Sequence, residues 1–139
     1  GGEESGGLTV AGHLPEKDGI GACLLVAEMV AGLGKSLREI LREVFDLVGP
    51  VYNRRRDFDV ASGAADDLRQ RLQQVAGRLA GRRIEDIVRG DGYKYLLEGG
   101  AWLLLRPSGT EPVVRAYAEA PSRAELDELL EAATKLVAP

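Results

Sequence analysis

Arg106-Pro-Ser-Gly-Thr-Glu-Pro112 gathers a guanidinium, two hydroxyls and several backbone N–H groups into seven contiguous positions, and Arg115 follows shortly after. A phosphate dianion wants that donor set: a planar charged fork for two oxygens, then neutral donors for the rest. Successive N–H groups in a tight turn add an anion-binding nest. Pro107 is expected to be unable to sit inside a ladder and Gly109 frees the backbone, so the segment reads as a turn between two strands. A second reading stands beside it, a polar hairpin loop with a solvated arginine, because Ser, Gly, Thr and Pro are common turn residues.

Elements must hold these groups in place. From Val51 the order is strand (51–60), helix (64 to about 80), several strands (84–89, 93–97, 101–105, 113–120) and a last helix opened by a Ser122/Glu125 capping box. Turns fall at Gly90-Asp-Gly92 and Gly99-Gly100. Hairpin-length connections make the later strands antiparallel neighbours, and the helices belong on one face. The fold class is therefore α+β. Val113, Arg115, Tyr117 and Glu119 alternate onto one face of their strand.

Upstream lie two helices. Ile20 to Leu33 is apolar, with Ile20, Leu24 and Ala27 on one face, and is ended by Gly32 and Gly34. Ser36 with Glu39 caps a second helix carrying Leu37, Ile40, Leu41, Val44, Phe45 and Val48, stopped at Gly49-Pro50. This pair exposes more apolar surface than it can bury against itself. It reads as the remnant of an α/β domain whose sheet lies upstream. Gly1 to Gly7, with four glycines, reads as a working loop cut from its upstream strand, so a fragment is expected.

Composition narrows the function classes. The chain has 139 residues, 45% hydrophobic and 29% charged, with a net charge of -4. An acidic balance argues against general nucleic-acid binding, so Arg54-Arg-Arg56 reads as a solvated strand edge or an interdomain contact. No apolar run approaches the ~20 residues of a membrane helix, and no secretory signal opens the sequence. A single cysteine, Cys23, forms no internal disulfide; it fits a reducing cytosol and reads as a small core residue in its apolar helix. The lone His13 has no partner identifiable in sequence and reads as structural or polar. Asp18 reads as an N-cap, and Trp102 and Tyr117 as core residues.

The run Arg106 to Pro112 followed by Arg115 resembles the C-terminal phosphate-binding loop of the α-D-phosphohexomutase superfamily, which grips the phosphate that is not being transferred. Carried over by position, Arg106, Ser108, Gly109 and Thr110 contact it and Arg115 lies nearby, while Glu111 and Pro112 shape the turn. Gly2-Glu-Glu-Ser-Gly6 resembles the sugar-binding loop of the same superfamily. By that resemblance Glu3 and Ser5 hold sugar hydroxyls, a job for which a carboxylate and a hydroxyl are suited. Glu4 tunes the loop. Lys17, within Pro15-Glu-Lys-Asp-Gly19, matches a basic position that lies at the active site of phosphoglucomutases, where it neutralises phosphate or assists proton transfer. The other reading of Lys17 is a solvated residue near a helix N-terminus. The Glu-Glu-Ser-Gly-Gly loop is more similar to phosphoglucomutases, since glucosamine mutases tend to carry Gln and His there and bifunctional phosphomannomutase/phosphoglucomutases often carry Met and His.

The resemblance covers nearly the whole chain. It implies that residues 1–50 end a third, sugar-binding domain and that residues 51–139 form a C-terminal phosphate-binding domain. It implies a full-length enzyme interconverting glucose 1-phosphate and glucose 6-phosphate through a phosphoserine and glucose 1,6-bisphosphate. The serine loop and the aspartate cluster for Mg²⁺ belong to upstream domains, so no catalytic residue beyond Lys17 and no metal site is expected here. The implied partners are a phosphosugar and the upstream domains of the same polypeptide, with no nucleic acid and no membrane, in the cytoplasm. The alternatives are a phosphomannomutase of the same family, a non-catalytic phosphosugar-binding module, and a purely structural half of a domain interface.

Overall fold

The computed structural model describes residues 1–3, 6–60, 65–109 and 111–138, with backbone alone at 65 and 66. The chain forms two compact units, Gly1–Val48 and Gly49–Pro139.

In the first unit a short loop leads into α1 (Gly19–Leu33) and α2 (Leu37–Val48), which meet at 87°. Asp18 caps α1 by accepting from the Gly21 N–H at 2.8 Å. Gly34, at φ 60°, closes the helix with its N–H on the Val30 carbonyl. Gly32 stays inside the helix, so of the two glycines only Gly34 ends it. Ser36 and Glu39 form a reciprocal box: the Ser36 N–H donates to Glu39 Oε2 at 2.8 Å and the Glu39 N–H donates to Ser36 Oγ at 3.3 Å. The Ser36 hydroxyl, donating to Glu39 Oε2 at 2.7 Å, and after it the Ser36 N–H hold the Glu39 carboxyl below its usual range.

None of the described residues of this unit is buried. Ile20 is 78% exposed and Leu47 84%. Cys23 is exposed as well, which corrects its reading as a core residue. An apolar helix creates a core only where a second surface covers it, and α1 and α2 cross too steeply to cover one another.

The second unit runs β1 (Tyr52–Asp59), α3 (Ala65–Gln74), β2 (Arg78–Leu79), β3 (Arg82–Arg89), β4 (Tyr93–Leu97), β5 (Trp102–Pro107), β6 (Val113–Ala120) and α4 (Arg123–Val137). The strands form one antiparallel sheet in the order β1-β6-β5-β4-β3-β2. Period-two alternation turns Val114, Ala116 and Ala118 of β6, Leu103 and Leu105 of β5, and Tyr95 and Leu97 of β4 to one face. Leu126, Leu129, Leu130 and Ala133 of α4 and Leu68 and Leu72 of α3 close over that face as a single core. The fold is α+β, an antiparallel sheet with two helices on one face. The small alanines of β6 let α4 approach the sheet closely. Among the described residues, no single helix is long and apolar enough to cross a membrane.

Several local expectations are corrected. The helix expected to reach about residue 80 stops at Gln74, because Gly77 turns the chain at φ 75° and Leu79 is buried from a strand, β2. Trp102 and Tyr117 are outside the core. They share the sheet's other face, where the Trp102 ring lies 4.0 Å from the Lys94 ammonium and its N–H donates to Glu119 Oε1 at 3.0 Å. Both fall on the outward phase of strands whose inward phase is already filled by leucine and alanine. The arginines of β1 do mark an edge strand, but two of them tie it to α4: Arg54 pairs with Asp127 at 2.7 Å, and Arg56 donates to Thr134 Oγ1 at 2.9 Å.

Candidate functional site

The segment between β5 and β6 is shorter than the sequence suggests, because β5 continues through Arg106 and Pro107. Pro107 is tolerated for a directional reason. The Ser108 N–H points to β6, donating to the Val113 carbonyl at 2.9 Å. Alternation then aims the missing donor of Pro107 toward the β4 side, where pairing has already ended at Tyr93 and Leu105. The true loop is 108–112. Ser108 Oγ accepts from the Glu111 N–H at 3.2 Å, and the Glu111 carbonyl accepts from the Val113 N–H at 2.8 Å, so the turn is closed internally.

The consequence is that Arg106 and Arg115 stand directly opposite each other on adjacent strands, both on the face away from the helices. Like charges opposed in a ladder repel unless something anionic joins them. In this structure carboxylates do so. Arg106 Nη2 lies 2.7 Å from Asp91 Oδ2, and Arg115 Nη2 lies 2.7 Å from Glu111 Oε2. Arg115 Nε is enclosed and has no hydrogen-bond partner among the described residues. Asp57, across the ladder from Arg115 on β1, is occupied by a two-pronged bond from Arg55 at 2.8 and 2.7 Å, which holds its carboxyl below the usual range. Beside the loop, Arg69, Arg89, Asp91, Tyr93 and Pro107 line a cavity of about 200 Å³.

The structure thus places Arg106, Ser108, Gly109 and Arg115 together at one end of the β5–β6 pair. Thr110 lies outside the described residues, as does Ser5 of the other loop. Sequence reasoning missed Asp91 and gave Glu111 only a turn-shaping part. The signal for Asp91 was Gly90-Asp-Gly92 itself, a tight turn that aims its one side chain at the neighbouring strand.

In the first unit the glycine-rich loop folds back as a small clasp. Gly1 and Thr9 exchange backbone bonds at 2.8 Å, Gly2 bridges Leu8, and the Glu3 N–H donates to the Gly7 carbonyl at 2.9 Å. Lys17 Nζ then meets Glu3 Oε1 at 2.9 Å. Gly7 lies beneath this pair, where a Cβ would stand 3.1 Å from Lys17 Cδ and push the lysine stem aside by a few tenths of an ångström. Glu3 and Lys17 are therefore brought together. Asp18 Oδ2 holds His13 Nε2 at 2.9 Å, giving the lone histidine a partner the sequence did not reveal. The Gly21 N–H first, and then His13, keep the Asp18 carboxyl below its usual range. Among the described residues, no group of three or more His, Cys, Asp or Glu side chains is placed to hold a metal ion.

Two family models match the chain: the phosphoglucomutase/phosphomannomutase C-terminal domain over residues 59–136, and the phosphoglucomutase/phosphomannomutase alpha/beta/alpha domain III over residues 1–48. A phosphoglucomutase/phosphomannomutase of Thermococcus kodakarensis is 32% identical over 137 residues, covering 99% of this chain and 28% of that protein. A phosphoglucosamine mutase of Methanocaldococcus jannaschii is 36% identical over 140 residues, covering 99% of this chain and 29% of that protein. The chain therefore spans under a third of the length of these relatives. In fold it is similar to the open form of parafusin, a Paramecium phosphoglucomutase, with a TM-score of 0.67 over 90% of this chain and 28% of that one, at 21% identity.

Proposed function

The chain belongs to the phosphoglucomutase/phosphomannomutase family, and on that premise we propose that it is the substrate-gripping C-terminal part of a phosphohexomutase converting glucose 1-phosphate and glucose 6-phosphate into one another. Residues 1–50 end a third domain and residues 51–139 form the fourth. Glu3 and Ser5 hold sugar hydroxyls, with Lys17 beside Glu3 as the cation of that loop. Arg106, Ser108, Gly109, Thr110 and Arg115 hold the phosphate that is not being transferred. The observation that carries this reading is the opposition of Arg106 and Arg115 across one strand pair, with an internally bonded turn between them. Two guanidinium forks side by side form an arrangement that only an anion rewards.

Phosphoryl transfer depends on positioning and on charge stabilisation far more than on covalent chemistry from the protein. In the implied mechanism a phosphoserine upstream gives its phosphate to the sugar, the glucose 1,6-bisphosphate turns over, and the other phosphate returns to the serine. A grip that accepts either end must recognise phosphate by charge and shape, as a fork-and-turn loop does. Magnesium, in this reading, is held by upstream residues, and none of the described residues is given a part in holding it. The activity is placed in the cytoplasm.

Arg106→Ala in the whole polypeptide is expected to raise KM for glucose 1-phosphate and to lower kcat/KM in a coupled assay; unchanged kinetics would remove Arg106 from the grip. A second reading is favoured by the 36% identity to a phosphoglucosamine mutase: an amino-sugar phosphate as the preferred substrate. Comparing glucose, mannose and glucosamine 1-phosphates in the same assay decides the sugar, and a preference for glucose is expected.

A further inference from the structure

We propose that Asp91 and Glu111 are built-in counter-ions of the phosphate grip, which an arriving phosphate displaces from Arg106 and Arg115 and which cover the two forks again when it leaves. The proposal rests on reading the β5–β6 loop as a phosphate grip. Each carboxylate presents one oxygen at 2.7 Å to an Nη2, the distance and donor a phosphate oxygen would itself use. Neither pair is locked. The Asp91 side chain is 79% exposed and that of Glu111 57%, and ion pairs open to water are weak ones.

Backbone geometry, rather than the ion pair, keeps Asp91 within reach. The turn that carries it is pressed against β5. Gly92 sits at φ +143°, and a Cβ there would stand 2.7 Å from the Leu105 carbonyl oxygen and 3.2 Å from Arg106 Cα. Glu111 is fixed by its place four residues before Arg115 and by the two hydrogen bonds that close its turn. The carboxylates thus remain beside the forks whether or not an anion is present.

The electrostatic consequence is specific. Two guanidiniums and two carboxylates sum to no formal charge, so these two forks draw a dianion by the difference between phosphate and carboxylate as partners, beside what the turn's own donors and the nearby Arg69 and Arg89 add. A loop of two bare arginines would bind more tightly and release more slowly. A grip that must let go of one end of a bisphosphate and take the other gains from the weaker arrangement. The competing idea is that Asp91 and Glu111 aim the guanidiniums at the ligand. The two ideas predict opposite signs.

Inorganic phosphate is titrated into the 139-residue chain at low ionic strength, following the side-chain Nε resonances of Arg106 and Arg115. The variants are Asp91→Asn, Glu111→Gln, and Glu98→Gln as a charge-matched control on the turn at the other end of the β4–β5 hairpin. Asp91→Asn and Glu111→Gln are each expected to tighten phosphate by about 2- to 5-fold, and the double variant by roughly the product. Glu98→Gln is expected to leave affinity unchanged. Weaker or equal binding in both site variants, with the parent chain still binding, overturns the counter-ion role alone. A parent chain whose arginine resonances ignore phosphate overturns the phosphate reading and this proposal together.

Discussion

Residues 49–139 hold Arg106 and Arg115 on strands whose opposite face is filled by leucine, alanine and tyrosine under α3 and α4. Residues 1–48 hold Glu3 and Lys17 on a clasp beside two helices that bury no described residue. The two candidate grips are alike in chemistry, each pairing cations with carboxylates, and unlike in foundation. On the sheet, each arginine's direction is fixed by pleat and register, which the core enforces, since a one-residue slip would carry buried side chains to the surface. In the clasp, direction is fixed by a few local hydrogen bonds and one glycine contact. Precision in the first case is cooperative and in the second local.

Core truncation should separate the two most sharply. Leu129→Ala, at a fully buried site on α4, is expected to cost about 2–5 kcal/mol. Denaturation followed by the fluorescence of Trp102, the sole tryptophan, reads it within the second unit. Leu47→Ala on α2 removes a side chain that is already exposed and is expected to change stability by less than about 0.5 kcal/mol. Comparable losses from the two would erase the contrast.

Tyr95 gives a smaller effect of known origin. Its hydroxyl donates to the Leu72 carbonyl at 2.8 Å, one of the four carbonyls that α3 leaves open at its C-terminus. Tyr95→Phe is expected to cost about 1–2 kcal/mol by leaving that acceptor buried and unpaired. Burial also pushes the phenol up to about 12 from 10.0. A raised folded value means the native phenol resists ionising while the unfolded one ionises. The stability this provides is whole below pH 10 and falls as pH rises from 10 toward 12. Denaturation midpoints across that window test it, and Tyr95→Phe should flatten the slope.

The mildest effect belongs to the start of α1. A Cβ at Gly21 would stand 2.6 Å from Asp18 Oδ2, so Gly21→Ala should release the cap and the His13 contact. Faster amide exchange at Ala22, which bonds the Asp18 carbonyl at 3.0 Å, is expected, with the Trp102 transition unmoved. Acid acts in the same direction. The Asp18 carboxyl is lowered, so its capping contribution is present above the ordinary value of 3.8 and fades as pH falls below it.

Much of this was legible in the sequence because it rests on local rules. Capping boxes at Ser36 and Ser122, the glycine stop at Gly34 and the strict alternation of β6 each follow from short-range spacing. What escaped depended on which face a neighbour had already taken. Trp102 reads as core by type, yet its phase on β5 puts it outside Leu103 and Leu105. Pro107 reads as a strand breaker, yet its missing donor falls where no partner strand remains. Asp91 comes to Arg106 from a different hairpin: Gly90-Asp-Gly92 marks the turn locally, but sheet order decides which strand its side chain meets.

The proposed division of labour gives sugar to one loop and phosphate to the other. Backbone amide spectra of this chain, titrated separately with glucose 1-phosphate and with inorganic phosphate at millimolar concentration, test it most directly. Glucose 1-phosphate is expected to move resonances both in the 2–7 clasp and in the 106–115 segment, while inorganic phosphate moves the latter alone. Phosphate-dependent shifts confined to the clasp, or shifts in neither loop with either ligand, would contradict it.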